Sequence, residues 1–374
     1  MQLDVVISGT GLWKPDSFIT NEELVASYNA YANKFNQENA RGITEGTVIE
    51  KPQSSAAFIE KASGIKSRYI YKKEGTLDID RMMPNIPKRK EEELSDQAEM
   101  AIHAAKKAMT AANKTAQDID VVIVACAYTQ RYYPAIAIEV QGALEIEGFG
   151  FDMLVACSAA TFGLHRAYEM IKAGTANCVM VINPELTSPQ VNYKDRDSHF
   201  IFGDVSIATI LEKKETATSN HCFEILSTKA LTHYSNNIRS NFGFVLNANN
   251  ENPLAAEQYF HQQGRKVFKE VCPMAAKHIS THLETHNLQT KDIKRWWLHQ
   301  ANINMNRLIC KMLLDKEPTP KEAPIVLDEF ANTASAGSLI AFNLYHQDLN
   351  SGDYGLICSF GAGYSIGSLV VRKV

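Results

Sequence analysis

The apolar run Val121–Ala127 constrains the fold more than any other feature of this sequence. A strand that is apolar at every position is typical of a sheet covered on both faces, as parallel sheets in α/β proteins are. The preceding segment has helical spacing, with Ala98, Ile102, Ala105 and Met109 on one face. A helix followed by a fully buried strand predicts an α/β fold.

Strands and helices alternate through the rest of the chain as well. The predicted strands cover residues 5–8, 121–127, 151–156, 178–183, 206–211, 295–298, 325–327, 355–360 and 365–372. The predicted helices cover residues 158–173, 265–286, 303–314 and 335–348, and others begin near Thr20, Ser95 and Pro134. Because the rhythm of the two halves is similar, we predict an internal duplication, with halves at 1–213 and 214–374.

Two polar stretches interrupt the first half, at about 29–55 and 72–93. The second contains Pro84, Pro87 and many charged residues, and neither stretch has a regular apolar period. Such segments are typical of surface loops, so we predict that both are insertions on the surface.

Charge and cysteine usage exclude several classes of protein. The 374 residues include 38 basic and 42 acidic residues, and no like-charge block suggests nucleic-acid binding. The seven cysteines form no CxxC pair, so we expect no zinc ribbon, no redox dithiol and no bound metal. Without a basic, apolar leader or an 18-residue apolar run, the sequence predicts a cytoplasmic protein with no membrane span.

Cys157 is the first candidate for chemistry. It ends an apolar strand and begins a helix of small residues, where the helix dipole favours the nucleophilic thiolate. The alternative is a buried structural cysteine, because free cysteine is among the most buried residue types.

His299 and Asn332 are two further candidates, and each lies between a predicted strand and a predicted helix. The ends of strands are where α/β proteins place functional groups. An imidazole or a carboxamide there can donate a hydrogen bond to a substrate carbonyl. Both are equally compatible with helix capping, for which asparagine is well suited.

A glycine-rich turn near the end of the chain, Ser359–Ser368, is the fourth feature. Glycines after a buried strand let the backbone approach a ligand and direct N–H groups at a developing oxyanion. The alternative is a tight hairpin. The turn lacks the phosphate-binding GxxxxGK[ST] pattern and leads into a strand.

Together these segments resemble the β-ketoacyl-[acyl carrier protein] synthase III family of the thiolase-like superfamily, over nearly the whole chain. The resemblance is carried by six segments: Val155–Ala159, Ile201–Asp204, His299–Asn302, Asn332–Thr333, Phe360–Gly363 and Gly64–Arg68. It implies a five-layer αβαβα fold made of two similar halves. The two insertions resemble a longer subgroup that forms β-ketodecanoyl-carrier protein.

The resemblance also implies a mechanism without a cofactor. Cys157 accepts the acyl group of a medium-chain acyl-CoA such as octanoyl-CoA. His299 and Asn332 then bind a malonyl-[acyl carrier protein] thioester and stabilise the enolate formed as CO2 leaves. The amides of Cys157 and Ala362 form the oxyanion hole. The product is a β-ketoacyl-carrier protein of fatty acid biosynthesis.

Further substrate contacts follow from the same resemblance. Phe58 and Arg196 correspond to the residues that flank the CoA adenine, and Tyr133 to an aromatic that reaches the acyl pocket of a homodimer partner. Phe268, Asn302, Phe360 and Gly361 complete the expected substrate site. The sequence departs from the family at Ala62 and Asn304, where arginines for CoA and carrier protein are expected. Arg265, Arg307 and Lys311 are candidate replacements.

The same residue types are compatible with several competing activities. A thiolase needs a second cysteine before the closing glycines, but Cys358 is one residue out of register with Ser359, which in a strand faces the opposite side. A 3-hydroxy-3-methylglutaryl-CoA synthase needs a glutamate base for which no motif is evident. Long-chain head-to-head condensation, a polyketide-type starter synthase, a Cys-His-Asn thioester hydrolase and a non-catalytic assembly subunit all stay open at this point.

Overall fold

The computed structural model describes residues 3–240 and 259–374. The strands are β1 (Val5–Trp13), β2 (Phe18–Thr20), β3 (Ser67–Tyr69), β4 (Val121–Cys126), β5 (Phe149–Leu154), β6 (Cys178–Glu185), β7 (Val205–Lys213), β8 (Phe223–Ser235), β9 (Ile238–Arg239), β10 (His261–Gln262), β11 (Ile293–Leu298), β12 (Tyr354–Gly361) and β13 (Gly363–Lys373). The α-helices are α1 (Asn21–Glu38), α2 (Ala40–Thr44), α3 (Ala56–Ser63), α4 (Asp96–Ala112), α5 (Ile136–Ala143), α6 (Ala159–Lys172), α7 (Gly264–Glu284), α8 (Ile303–Leu314), α9 (Leu327–Phe330) and α10 (Gly337–Leu344).

One nine-stranded sheet runs through both halves of the chain, in the order β11-β12-β13-β8-β1-β7-β6-β4-β5. The halves meet between β1 and β8, where only two residue pairs, Val6 with Glu224 and Ile7 with Phe223, join them. In the first half, β1 pairs antiparallel with β7, β7 pairs antiparallel with β6, and β6 pairs parallel with β4. In the second half, β8 pairs antiparallel with β13, β13 pairs antiparallel with β12, and β12 pairs parallel with β11. This shared pattern is what an internal duplication predicts.

Three apolar clusters show the layers. The middle cluster contains residues of α6 and α10 together with inward residues from both halves of the sheet, so the sheet folds around these two helices. Helices α4 and α5 cover the outer face of the first half, and α7 and α8 cover the outer face of the second. The predicted five-layer αβαβα fold is therefore confirmed. The predicted boundary between residues 213 and 214 falls at the end of β7 and stays a prediction.

Two glycines set how closely α4 packs on the sheet. The first strand was predicted over residues 5–8, but β1 continues to Trp13. A Cβ on Gly9 would lie 2.6 Å from the Ala112 nitrogen, and one on Gly11 would overlap the Ala104 carbonyl oxygen. Glycine is needed here because the helix backbone lies directly on the strand.

Several predicted elements differ from the structure. The stretch 29–55 was predicted as a loop, but α1 runs to Glu38 and α2 follows it, whereas 72–93 contains no helix or strand. The helix predicted over 265–286 is present as α7, which contains Pro273. The helix predicted over 335–348 ends at Leu344. The 13-residue strand β8 was not predicted.

The strand predicted at 325–327 is absent, and Gln300 explains why. The Gln300 side-chain oxygen accepts the backbone N–H groups of Val326 and Leu327, at 3.0 and 3.4 Å. These donors are therefore not available for a ladder with a neighbouring strand. The segment turns into the short helix α9 instead, which brings the chain directly to Asn332.

A fourth apolar cluster lies over the end of the sheet that carries the predicted site. It combines residues of α1 and α3 with the segment before β7, including Leu24, Ile59, Phe200 and Phe202. Arg68 ties this cap together, because its buried guanidinium donates to the Ile19 and Phe200 carbonyls and to Asn21 Oδ1. The predicted Gly64–Arg68 segment thus has a structural role in the cap. No helix in the described residues is long and apolar enough to cross a membrane.

Candidate active site

Cys157 lies in a one-turn 3-10 helix, Ala156–Ser158, directly before α6. It is the only one of the seven cysteines that is partly exposed, and the other six are buried. This difference disfavours the structural-cysteine alternative, because a structural cysteine has no need of an open face. Ala156 has φ of +45°, a left-handed conformation that is unusual for alanine. The nucleophile candidate therefore follows a strained residue, as functional groups often do.

The closing glycine turn lies against Cys157. A Cβ on Gly361 would lie 2.6 Å from the Cys157 Cβ, so only glycine fits at the end of β12. Phe360, the preceding residue, packs edge-on against the His299 ring with centroids 5.2 Å apart. The His299 amide in turn donates to the Cys358 carbonyl at 2.8 Å. Cys157, Gly361, Phe360 and His299 therefore form one continuous set of contacts.

Asn332 reaches the same place from the opposite side. The turn that holds Cys157 packs against Ala334–Ala336, the turn that immediately follows Asn332. Asn332 is fixed by backbone hydrogen bonds on both sides, from its N–H to the Ile201 carbonyl and from the Gly203 N–H to its own carbonyl. Its side-chain Oδ1 accepts the Ala334 N–H at 3.0 Å. This hydrogen bond orients the carboxamide and leaves its NH2 group as the donor for a ligand.

The protonation state of Cys157 differs from the one that the sequence predicts. The helix dipole was expected to favour the Cys157 thiolate, but burial raises the pKa of the thiol to about 12, and the Glu185 charge adds to this. Loss of a charge's hydration outweighs the favourable position at a helix start. The resting nucleophile is therefore a protonated thiol.

His299 is neutral in this environment. It is almost fully buried, and burial lowers the pKa of its imidazole to about 3. Its Nδ1 is buried without a hydrogen-bond partner in the described residues. A neutral imidazole can donate one hydrogen bond, but it cannot form a stable ion pair with a thiolate.

A cavity of about 290 Å³ leads from the surface between α3 and α7 to Asn332. Four of the predicted site residues line it: Phe58, Phe268, Asn302 and Asn332. Cys157, His299, Tyr133, Arg196, Phe360 and Gly361 are not among the described residues that line it. The cavity therefore joins the predicted CoA region to one of the three catalytic candidates.

The predicted CoA residues adopt an arrangement that the sequence did not indicate. The Arg196 guanidinium stacks on the Phe58 ring, 3.8 Å from its centroid, and its Nε donates to the Gln53 carbonyl. Asn302 caps α8 through its Oδ1 and donates from Nδ2 to the Ala62 carbonyl at 2.8 Å. Both Asn302 side-chain groups thus have protein partners, which favours a positioning role over direct substrate binding.

Two predicted residues lie at the periphery. Tyr133 is 83% exposed in the loop before α5. Ala362 sits in the turn between β12 and β13, one residue from the glycine that touches Cys157, and its carbonyl accepts the Ser365 hydroxyl. Its position suits the predicted oxyanion hole with the Cys157 amide, which stays a prediction.

Glu185 and Gln300 are the residues whose importance the sequence analysis missed. Glu185 is a buried carboxylate at the end of a strand that is buried at every position, and a charge after this mostly apolar run was the available signal. Gln300 is also buried, and its NH2 donates to the Leu298 and Pro324 carbonyls. It therefore holds the turn that carries His299.

Comparison with known proteins places this chain in a family. Models of "3-oxoacyl-[acyl-carrier-protein] synthase III" and of its C-terminal region match residues 151–230 and 283–373. A β-ketodecanoyl-[acyl-carrier-protein] synthase of Pseudomonas aeruginosa is 51% identical over 93% of this chain and 99% of the relative. The chain belongs to the β-ketoacyl-[acyl carrier protein] synthase III family. It is therefore an acyl-transferring condensing enzyme.

More distant relatives agree with this placement. A synthase III of Granulibacter bethesdensis is 27% identical over 98% of both chains. The solved structure of synthase III from Aquifex aeolicus matches with a TM-score of 0.75 at 23% identity, over 98% of this chain and 99% of that one. A priming β-ketosynthase of the R1128 polyketide pathway matches with a TM-score of 0.79 at 18% identity, over 99% of this chain and 96% of that one. These structural matches show the fold alone.

Proposed function

We propose that the protein condenses a medium-chain acyl-CoA, such as octanoyl-CoA, with malonyl-[acyl carrier protein]. Cys157 attacks the acyl thioester, the acyl group moves to its sulfur, and the thiol proton leaves with CoA. Malonyl thioester then loses CO2, and the resulting enolate carbon attacks the acyl-cysteine carbonyl. This attack breaks the thioester bond to Cys157, and the departing thiolate takes up a proton from water. The products are CO2, β-ketoacyl-carrier protein and the free Cys157 thiol. Covalent transfer divides one difficult step into two easier ones.

The observation that carries this proposal is the meeting of Cys157 with the Gly361 turn on one side and the Asn332 turn on the other. Decarboxylation builds negative charge on the thioester oxygen. The Asn332 NH2 group, oriented through Ala334, and a neutral His299 are two uncharged donors suited to that oxygen. Fixed donors aimed at developing charge typically supply a large part of such a rate enhancement.

The same geometry disfavours a Cys-His-Asn hydrolase. In that class, the asparagine orients the histidine ring and the histidine deprotonates the thiol. Here the Asn332 oxygen is bonded to the Ala334 N–H instead, and the raised pKa of Cys157 and lowered pKa of His299 oppose a thiolate–imidazolium pair. Thiolase chemistry is disfavoured as well. Cys358 packs in the outer apolar cluster, whereas Ser359 contacts Ser338 of the middle layer.

Substrate recognition follows from the cavity that ends at Asn332. We infer that the pantetheine arm occupies it and that the CoA adenine binds at Phe58, where Arg196 now covers the ring. Stacking of adenine on the face of Phe58 that Arg196 covers requires the guanidinium to move away. Arg265 is exposed on α7 next to Gly264, which lines the cavity, and Arg307 and Lys311 are exposed on α8. Among the described residues, none of the three has an ion-pair partner. They are suited to an acidic carrier protein.

A homodimer is part of the proposal. Strand β5 is at the open edge of the sheet, and its end residues Phe149 and Leu154 are 46% and 55% exposed. An exposed edge strand with apolar side chains is a template for pairing with another strand. We infer that two copies pair along β5, which places the exposed Tyr133 loop against the partner.

A ladder of acyl-CoA chain lengths tests the function. With malonyl-[acyl carrier protein] present, we expect the highest kcat/KM for a medium-chain primer and a β-keto product two carbons longer. With acyl-CoA alone, we expect one equivalent of CoA to be released and then no turnover. Continuous release of free acid would support the hydrolase instead, and a preference for acetyl-CoA would contradict the medium-chain assignment.

A further inference from the structure

Glu185 is a buried carboxylate that the proposed chemistry does not use. It is fully buried at the end of β6. Its Oε1 accepts the Ser335 hydroxyl and, at 3.1 Å, the Ser335 N–H. Its two oxygens lie 3.1 and 3.2 Å from the Ala127 N–H, just after β4. One side chain thus joins two strand ends of the first half to the Asn332 turn of the second half.

The turn that Glu185 holds is strained. Ala331 and Ala334, on either side of Asn332, have φ of +57° and +47°. A left-handed conformation is unfavourable for alanine and persists only where the surrounding structure fixes it. The Ile201 and Gly203 hydrogen bonds fix the turn at Asn332 itself. Glu185 fixes the other end, because it accepts both donors of Ser335.

This end of the turn controls the Asn332 side chain. The Ala334 N–H donates to Asn332 Oδ1, and Ala334 is bonded covalently to Ser335. If Ser335 shifts, the donor that orients the carboxamide shifts with it. A small displacement of a donor from its productive position is enough to slow a reaction that depends on preorganised hydrogen bonds.

We propose that Glu185 is a positioning residue for the malonyl half-reaction, which holds Ser335 and thereby aims the Asn332 carboxamide at the thioester oxygen. The role presupposes the proposed condensation. A substitution of Glu185 should therefore slow the second half-reaction and not the first, since Asn332 acts only in the second. The Glu185 charge also opposes ionisation of Cys157. Burial raises the pKa of Glu185 to about 7, so only part of this charge is present near neutral pH. We therefore expect that removing it leaves acyl loading unchanged or makes it faster.

Glu185→Gln is the main test, because the amide keeps the shape and one acceptor oxygen. Acyl loading is followed as CoA release with octanoyl-CoA alone, and the malonyl step as single-turnover product formation after malonyl-[acyl carrier protein] is added to loaded enzyme. We expect the malonyl step to fall about tenfold while loading is unchanged or faster. Ser335→Ala removes one of the two bonds, so a smaller fall of the same kind is expected.

Asp120→Asn is the matched control. Asp120 also accepts two backbone N–H groups, from Asn177 and Cys178, but at the opposite end of β4 and β6. Both half-reactions should be unchanged in this variant. Parallel losses in both steps for Glu185→Gln and Ser335→Ala, or an unchanged malonyl step, would overturn the positioning role. If wild-type enzyme itself fails to load or to consume malonyl thioester, the proposed function fails instead.

Discussion

At the scale of single residues, the local environment distinguishes side chains that can take part in the reaction from side chains of the same type that stabilise the fold. All seven cysteines have the same side chain, yet only Cys157 is partly exposed and preceded by a left-handed alanine. Asn332 has a hydrogen bond that orients it and an NH2 group left for a ligand, whereas both side-chain groups of Asn302 have protein partners. The residue types were readable from sequence, but these environments were not.

Asn332→Ala tests the division of labour between the two half-reactions. Loss of one preorganised donor typically lowers a rate by about 100- to 1000-fold. We expect a loss of that order in the malonyl step, with acyl loading within about twofold of wild type. Stopped-flow or quenched single-turnover measurements of each step provide the comparison. Equal losses in the two steps would show that Asn332 supports the site as a whole.

At the scale of elements, the site depends on how closely turns pack. Gly361→Ala would put a methyl group 2.6 Å from the Cys157 Cβ, so either β12 or the nucleophile turn must move. We expect acyl loading to fall by at least about tenfold, because a shift of the nucleophile misaligns its attack. Gly142→Ala is the control, since a Cβ there meets nothing within 4 Å. It should keep full activity. Normal loading in Gly361→Ala would contradict this packing.

The contact between α7 and β13 leads to a prediction about how stability depends on pH. Ser368 Oγ lies 2.9 Å from His278 Nε2 and 2.7 Å from His282 Nδ1, and burial lowers the pKa of these histidines to about 4 and about 3. Both must be neutral in the folded protein but are protonated below about pH 6.5 when unfolded. The free energy of unfolding should therefore fall as pH decreases from about 6.5 towards 4.

Ser368→Ala isolates this contact at neutral pH. Two buried imidazoles then lose a partner, which costs about 1–3 kcal/mol. Urea unfolding at pH 7 measures the loss, and Ser351→Ala in the exposed turn before β12 serves as the neutral control. Equal stability of the two variants would show that the Ser368 hydroxyl contributes nothing.

Most helices and strands were predicted correctly from local sequence patterns. The predictions were wrong where a side chain or a contact between distant segments determines the structure. The apolar run 121–127 and the helix 303–314 were found because apolar periodicity is local. The strand predicted at 325–327 does not form, because the Val326 N–H donates to the side chain of Gln300, which is distant in sequence. The Arg196–Phe58 stack and the role of Glu185 likewise depend on contacts between segments far apart in the chain.

At the scale of the whole molecule, duplication explains where the site lies. The two halves meet at a short seam, and α6 and α10 both contribute to the apolar cluster between them. Cys157 precedes α6, and Asn332 precedes α10 by a single turn. Bringing the starts of these two helices together therefore brings together two groups that are far apart in sequence. The α/β class and the duplication were predictable from the rhythm of strands and helices, and the five-layer fold from the family resemblance. The contact between the two turns was predictable from neither.

The exposed edge of the sheet leads to a prediction about dimer formation. If two copies pair along β5, Leu154→Lys should weaken the dimer, because it places a charge on an apolar interface. Analytical ultracentrifugation should show wild type as a dimer and the variant shifted towards monomer. Ile49→Lys, at a 90% exposed residue between α2 and α3, should leave the dimer intact. A monomeric wild type would contradict the proposed assembly.

The central claim is that one cysteine carries the acyl group and that malonyl thioester removes it at the same site. Intact-mass spectrometry after incubation with octanoyl-CoA, followed by peptide mapping, tests this most directly. We predict a single octanoyl adduct on Cys157, no adduct on Cys157→Ser, and loss of the adduct as β-ketodecanoyl-carrier protein forms when malonyl-[acyl carrier protein] is added. An adduct on another residue, or one that malonyl thioester leaves in place, would contradict the account.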